Sequence, residues 1–335
     1  MSIPQDSEFS EKKRRVISVV PSTSSVGGIA KVLDYAVHAG RAGYQSYFAP
    51  LGKVSGDEGL FSKPYFVEHN SLVNIVPFDE IEPLESDILL FSLPSNHKRI
   101  IAKYCNNNIS TNQLVHLVQN VRHTNIYFDN NYSFRLLTKP MTRICITQQV
   151  YDEVFPWVED KENLHLIPHG FDFHFFDKKP MRNEAPSLVY NTFKGDFGGK
   201  IVDALKKTKH KLNVVKINSG ISWDDLRAAY QGNTIFLGTP LREEGLYLPS
   251  LEAMAAGCAV VMPDAIGSRF YTVFGINCLE TKYQDVDSYV EQLVDLIDNW
   301  KEQGYLLRLS AHSFAKRVGL EPEYEKFQSL LNAIS

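Results

Sequence analysis

Short apolar runs rich in β-branched residues recur along the chain, and several of the stretches between them are long enough for a helix. RRVISVV, QSYFAP, VNIVPF, SDILLFSL, QLVHLVQN, RICITQQ and LHLIPHG follow one another up to Gly170. This rhythm predicts βαβ units and a mostly parallel, doubly wound α/β sheet. The charged, Pro-containing stretch DKKPMRNEAP, Asp177 to Pro186, interrupts it and reads as a linker. SLVYNTF, LNVVKIN, TIFLGTP and AVVMPD then restart the pattern as a second sheet of the same type, and the chain from Asp285 to Ser335 has helical period.

A chain of 335 residues, 44% of them hydrophobic, is longer than a single core usually grows. Two Rossmann-like domains are therefore expected to face each other across a cleft. Their expected bounds are 1–176 and 177–310, with 311–335 as a helix that crosses back to the first domain. Charge is spread evenly: 16 basic against 19 acidic residues up to Asp172, and 19 against 20 beyond it. Neither half has the positive field of a protein that lives on nucleic acid or an anionic bilayer. The densest charge run, Glu11 to Arg15, reads as a solvated leader ahead of the first strand.

Cys105, Cys145, Cys258 and Cys278 lie far apart with no CxxC pair, which suggests neither a zinc site nor a disulfide framework. They read as reduced core thiols. The first residues contain no apolar segment behind their basic ones, and no run reaches membrane-spanning length. A cytoplasmic protein is expected, with at most peripheral membrane association.

Ligands of open α/β sheets bind beyond the carboxyl ends of the strands. The stretch REEGLYLPSLEAMAAGCAVV, Arg242 to Val261, is such a loop: TIFLGTP is the strand before it, and Pro249 suits the first position of a helix that stops at Gly257. Glu244 then falls in the loop and Glu252 in the first helical turn. A carboxylate has two acceptor oxygens, which match the paired hydroxyls of a sugar. The helix start between the two, with Gly245 allowing close backbone approach, suits a phosphate. A glutamate near a helix start is also favoured by the helix dipole alone, so the pair by itself does not decide between the readings.

EEGLYLPSLEAMAAGCAVV resembles the signature of glycosyltransferase family 4 and its relatives, retaining enzymes of the GT-B fold that use a nucleotide-sugar donor. The resemblance implies that Glu244 binds hydroxyls of the donor hexose near the reacting carbon and that Glu252 grips the ribose. Gly245, Leu246, Tyr247 and Leu251 would line the donor pocket between them. The family usually reads EGFG where this chain has EGLY, so Tyr247 stands in place of a glycine. NLHLIPHGFDFHFF, Asn163 to Phe176, is similar to the family segment that closes the first domain, with His169 where Asn is usual and a structural rather than catalytic role implied.

Other segments extend the likeness. VISVVPS followed by TSSVGGIAKVLDYAVHAGRAGY resembles the family's glycine loop and helix, and implies that Gly27 and Gly28 let backbone amides approach the donor. In SLVYNTFKGDFGGK, Lys194 and Lys200 stand where the family places the Arg and Lys that meet the diphosphate. SGISWDDLRAAY, with Ile221, resembles the segment flanking the nucleotide base, although a plain capped helix fits it as well. Where the family often has a His reaching the donor sugar, this chain has Gln119 and Asn120, with His116 and His123 nearby. Asp285 to Asp287 (DVD) reads as a helix cap and not as a metal motif.

The implied activity is transfer of a hexose from a UDP- or GDP-linked donor to a hydroxyl of a saccharide or glycoconjugate, with retained configuration and without a metal or other cofactor. The acceptor side is expected in the first domain, in the loop QNVRHTNIYFDNNYSFR, with Gln119, Arg122, His123 and Tyr132 as candidates. A core helix with an aromatic stripe is the alternative reading of that loop. Glycosylation of a modified nucleic-acid base, a sugar-nucleotide epimerase and a catalytically silent nucleotide-binding partner are the alternative functions. The sequence does not define the oligomeric state.

Overall fold

The computed structural model describes residues 14–24, 27–54, 58–107 and 109–334. Two parallel sheets form the chain's frame. The first has seven strands, β1 (Arg15–Val20), β2 (Gln45–Pro50), β3 (Val73–Ile75), β4 (Ile88–Phe91), β5 (Leu114–Val118), β6 (Thr142–Cys145) and β7 (Leu164–Leu166), in the order β3-β2-β1-β4-β5-β6-β7. The second has five, β8 (Leu188–Asn191), β9 (Val214–Ile217), β10 (Ile235–Leu237), β11 (Ala259–Pro263) and β12 (Leu279–Thr281), in the order β12-β11-β10-β8-β9. The apolar runs became strands because helices cover both faces of each sheet. In β1, for example, Val16 and Val20 enter one core while Ile17 and Val19 enter the other.

Several expectations change. The strand β12, LET, was not anticipated; it carries no apolar run and is held at the edge by pairing with Val261–Pro263. The segment from Asp177 to Pro186 is a docked connection. Lys178 Nζ lies 2.9 Å from Glu184 and donates to the Gln231 carbonyl at 2.6 Å, while the buried Arg308 donates to the Gly257 carbonyl at 2.6 Å and pairs with Glu184. Of the presumed leader, Glu11 to Lys13 lie outside the described residues. Arg15 opens β1 and binds the buried Asp87 at 2.7 Å, because the strand end delivers it to that carboxylate. Cys105 is exposed; the other three thiols are buried and all four are free. The DVD aspartate Asp285 caps the Val286–Asp298 helix, accepting from the Ser288 amide at 3.1 Å.

The chain passes between the domains twice, at Gly170–Phe171 and at Val318–Gly319, and the two passages run side by side. The Phe171 amide donates to the Val318 carbonyl at 3.3 Å, and any Cβ on Gly170 would overlap the Gly319 carbonyl. From there the helix Leu320–Ile334 returns to the first domain, where Phe327 packs edge-on against Tyr35 with ring centroids 4.7 Å apart.

Beside that contact lies a buried ionic cluster. Lys31, on the helix Gly27–Arg41, donates to Glu323 at 2.5 Å and to the Gly170 carbonyl at 2.9 Å, with Asp34 at 3.1 Å. Burial works against the charge on Lys31, but Glu323 and Asp34 outweigh it and hold the ammonium ionised. His38 and His169 border the cluster, and burial pushes both below the ordinary imidazole range, keeping them neutral. Removing one partner of such a pair strands the other charge in the core. Glu323→Ala should therefore destabilise the protein by about 3 to 5 kcal/mol, and Lys31→Met combined with Glu323→Leu should recover much of that loss in urea unfolding.

Candidate donor site in the interdomain cleft

All strands of each sheet run parallel, so their carboxyl ends gather at one edge of each domain. β10 leads into the loop that carries Glu244, and the helix Leu248–Ala255 follows. Pro249 takes its second position. Gly257 ends it at φ +81°, and the amides of Gly257 and Cys258 return to the carbonyls of Met254 and Ala253 at 3.1 and 2.9 Å. The helix starts one residue earlier than expected, so Glu252 is its fifth residue, just past the first turn.

β8 leads into the turn that holds Lys194. Gly195, at φ +103°, reverses the chain, and Asp196 caps the next helix by accepting from the Gly199 amide at 3.2 Å. This turn brings the Lys194 ammonium to 3.0 Å from Glu244 Oε1, an ion pair without the alignment of a hydrogen bond. Lys200, one turn into the helix Phe197–Leu205, is exposed and forms no ion pair among the described residues. Of the two lysines expected to act together, only Lys194 meets a carboxylate of the loop.

Glu252 has a different environment. It is buried, and burial raises its carboxyl to about 7 against the opposing pull of Lys63 and of the Tyr230 hydroxyl. Tyr247, expected to line the donor pocket, buries its ring in the second-domain core against Phe236, because the helix start turns it inward. Its hydroxyl accepts from Asn191 Nδ2 at 3.4 Å, and its carbonyl accepts from Ser250 Oγ and Tyr271 Oη at 2.9 and 3.0 Å. Leu251 lies fully in the same core, Leu246 packs against the cores of both domains, and Ile221 packs beside Trp223.

The loop also touches the first domain. Glu244 forms an antiparallel bridge with Asn120, and Gly245 lies so close to the Gln119 carbonyl that a Cβ would overlap it. On the other side a Cβ at Gly267 would overlap the Gly245 carbonyl, which also receives Thr147 Oγ1 at 3.4 Å. The close approach that Gly245 permits is thus to protein backbone on both sides. Gln119 Nε2 donates to the Gly28 carbonyl at 2.9 Å, which joins the glycine end of the Gly27–Arg41 helix to the same point. Gly27 has open space where a Cβ would stand.

The acceptor-side candidates separate. Arg122 is exposed, and its amide is capped by Asn120 Oδ1 at 3.0 Å. His123 is buried with its ring edge-on to His116 at 5.7 Å, a core position rather than an open wall. Tyr132 is half-buried, 3.0 Å from His97 Nδ1, with Lys98 4.1 Å from its ring centroid. Burial, then Lys139, lowers His97 to about 4. The loop is built from short turns and the six-residue helix Tyr132–Leu137, so the continuous aromatic-striped helix is not formed. Sequence reasoning missed Asn191, Tyr230, Lys63 and the bond from Trp223 Nε1 to the Gly59 carbonyl, 2.8 Å across the cleft. None of these has a local sequence signal. Among the described residues no cluster of His, Cys, Asp or Glu suits a metal ion, and no helix is long and apolar enough to cross a membrane.

Two doubly wound parallel domains, joined by adjacent crossings and a returning terminal helix, define the GT-B fold. The structure resembles Anabaena HepE solved with UDP and glucose, with a TM-score of 0.75 at 11% identity over 96% of this chain and 100% of that one. It also resembles sucrose-phosphate synthase from Thermosynechococcus elongatus (TM-score 0.69, 12% identity, 96% and 99% covered) and a glycosyltransferase from Rickettsia africae (0.67, 10%, 95% and 99%). Residues 193–299 match the family model described as glycosyl transferases group 1. By sequence, no curated protein matches the chain.

Burying an ionised Glu252 costs stability. Because its folded value of about 7 lies above the ordinary 4.5, the cost is absent below about pH 4.5, grows as pH rises and is complete above about 7. Glu252→Gln should therefore raise the melting temperature at pH 8, by the equivalent of up to ~3 kcal/mol, and change it little at pH 4.5. Melting curves at both values measure the difference.

Proposed function

We propose that the protein is a retaining glycosyltransferase that moves a hexose from a nucleotide diphosphate sugar to an acceptor hydroxyl on a saccharide or glycoconjugate. The supporting observation is the loop after β10: it presents one ion-paired carboxylate, Glu244, and one buried carboxyl, Glu252, in a cleft closed by the first domain. HepE, which shares the fold, was solved with UDP-glucose, and this favours a UDP-linked donor.

In this reading Glu252 accepts hydrogen bonds from the ribose hydroxyls and Glu244 from the hexose. As the bond from the anomeric carbon to the diphosphate oxygen breaks, negative charge gathers on the leaving group. Lys194 then exchanges Glu244 for the phosphate, assisted by Lys200 and by backbone amides at the glycine end of the Gly27–Arg41 helix. The acceptor oxygen bonds to the same face of the anomeric carbon, and its proton passes to the departing phosphate. No carboxylate attacks the sugar, and Glu244 orients it. The lysines supply the counter-charge, so the proposed reaction needs no metal.

Glu252→Ala should weaken UDP binding, whereas Glu244→Ala and Lys194→Ala should bind UDP and lose turnover, Lys194→Ala by about 2 to 4 kcal/mol in activation free energy. Calorimetry together with initial rates on UDP-sugars separates the two effects. Unaltered affinity and rate in all three variants would defeat the proposal.

The acceptor is assigned to the first-domain rim at Gln119 and Arg122, with Tyr132 behind it. Arg122 is exposed beside the Asn120 bridge to the donor loop, so Arg122→Ala should raise the acceptor KM several-fold and leave hydrolysis of the donor unchanged. Equal losses in both activities would place Arg122 at the donor instead.

A further inference from the structure

The loop that carries Glu244 is held from behind by one segment of its own domain. The short helix Ile266–Phe270 follows β11, and its first two amides reach back to the loop: Ile266 donates to the Arg242 carbonyl at 3.1 Å and Gly267 to the Glu244 carbonyl at 2.8 Å. Tyr271, the next residue, donates from its hydroxyl to the Tyr247 carbonyl at 3.0 Å. One segment thus fixes the loop at Arg242, Glu244 and Tyr247. The carbonyl of Gly245 turns the other way and receives Thr147 Oγ1 of the first domain at 3.4 Å.

Gly267 is the tightest point of this grip. It is not among the glycines with positive φ, so its backbone conformation is open to any residue and only space demands a glycine. A Cβ there would overlap the carbonyls of both Gly245 and Glu244. The loop has no room to yield, because on its far side Gly245 abuts the Gln119 carbonyl. Nor is the segment free to retreat: Gly267 is buried, and Ile266, like Leu246 of the loop, packs against the first-domain core. The peptide of Glu244 is therefore set between two backbones. Its carboxylate starts from that fixed point and meets Lys194 at 3.0 Å.

We propose that the segment Ile266–Tyr271, acting through Gly267, is the positioning element that sets the Glu244 carboxylate at the hexose. The proposal rests on the reading of Glu244 as the hexose ligand. A group that must meet a reacting sugar has to be held within a fraction of an ångström, and its neighbours do the holding. Glu252 lies beyond the clamp, buried in the second-domain core. Holding the nucleotide and placing the hexose are then separable.

The test uses the full chain and whichever of UDP-glucose, UDP-galactose and UDP-N-acetylglucosamine the wild type hydrolyses fastest, with UDP affinity measured by calorimetry. Gly267→Ala should keep UDP affinity within about twofold of wild type and lower turnover roughly a hundredfold, the scale of loss for a misplaced reacting group. Gly267→Ala combined with Glu244→Ala should be no slower than Glu244→Ala alone, because the glycine acts through the glutamate. Tyr271→Phe keeps the ring and withdraws one of the three holds; it should lower turnover several-fold at unchanged UDP affinity, and it decides the matter if Gly267→Ala does not fold. Losses that multiply in the double variant, UDP affinity that falls in step with turnover, or wild-type turnover in Gly267→Ala would mean that the segment only packs the domain. If Glu244→Ala hydrolyses the donor as fast as wild type, or the wild type hydrolyses none of the three, the hexose reading of Glu244 fails, and the proposal fails with it.

Discussion

The carboxylate of Glu323, fully buried on the last helix, is the point on which the interdomain arrangement depends. A charge taken out of water is tolerated only where partners replace its hydration. Here Lys31 supplies the ion pair, and the same ammonium reaches Asp34 and the Gly170 carbonyl. These groups come from the first long helix, the interdomain crossing and the returning helix. None of the three segments can shift without uncovering a charge. The helix that carries Lys31 in its second turn begins at Gly27 and Gly28, so the cluster also fixes where Gly28 meets Gln119.

That placement gives the two glutamates of one loop different electrostatic settings. Glu244 lies at the domain contact and has a lysine of its own domain beside it. Glu252 lies in the core, where burial raises its carboxyl to about 7 against the opposing pull of Lys63 from the other domain. A buried carboxyl that resists ionisation is a cost to the folded state. Proteins carry such costs mainly at positions where activity needs them, which is why the pair supports a ligand role better than the motif alone does.

The strands were legible because a parallel strand buried on both faces must be a continuous apolar run, as RVISVV and ILLF are. β12 escaped notice because edge pairing asks little of side chains, and LET offers little. The donor loop was legible because its punctuation is local: a strand, a glycine, a proline at the helix start and a glycine at its end. What was not legible depends on distant segments. The approach of Gln119 to Gly245, the Trp223 bond to Gly59 and the field of Lys63 on Glu252 each join residues more than a hundred positions apart, and nothing near any of them in the chain announces a partner. Exposure also defeated single-residue rules. Cys105 is on the surface, and the acceptor candidate His123 is in the core.

Tyr247 shows how a change at a motif position is absorbed. A glycine is indispensable only where the backbone enters the left-handed region or another chain comes too close for a Cβ. Tyr247 has φ −96° and ψ 84°, a conformation open to any residue, so replacing glycine there brings no backbone strain. Its ring leaves the loop inward, toward Phe236, and its hydroxyl is held by Asn191 at the end of β8. The loop keeps its course, and the tyrosine ties it to the strand that leads to Lys194. The turn after the same strand brings Lys194 to 3.0 Å from Glu244 of the loop.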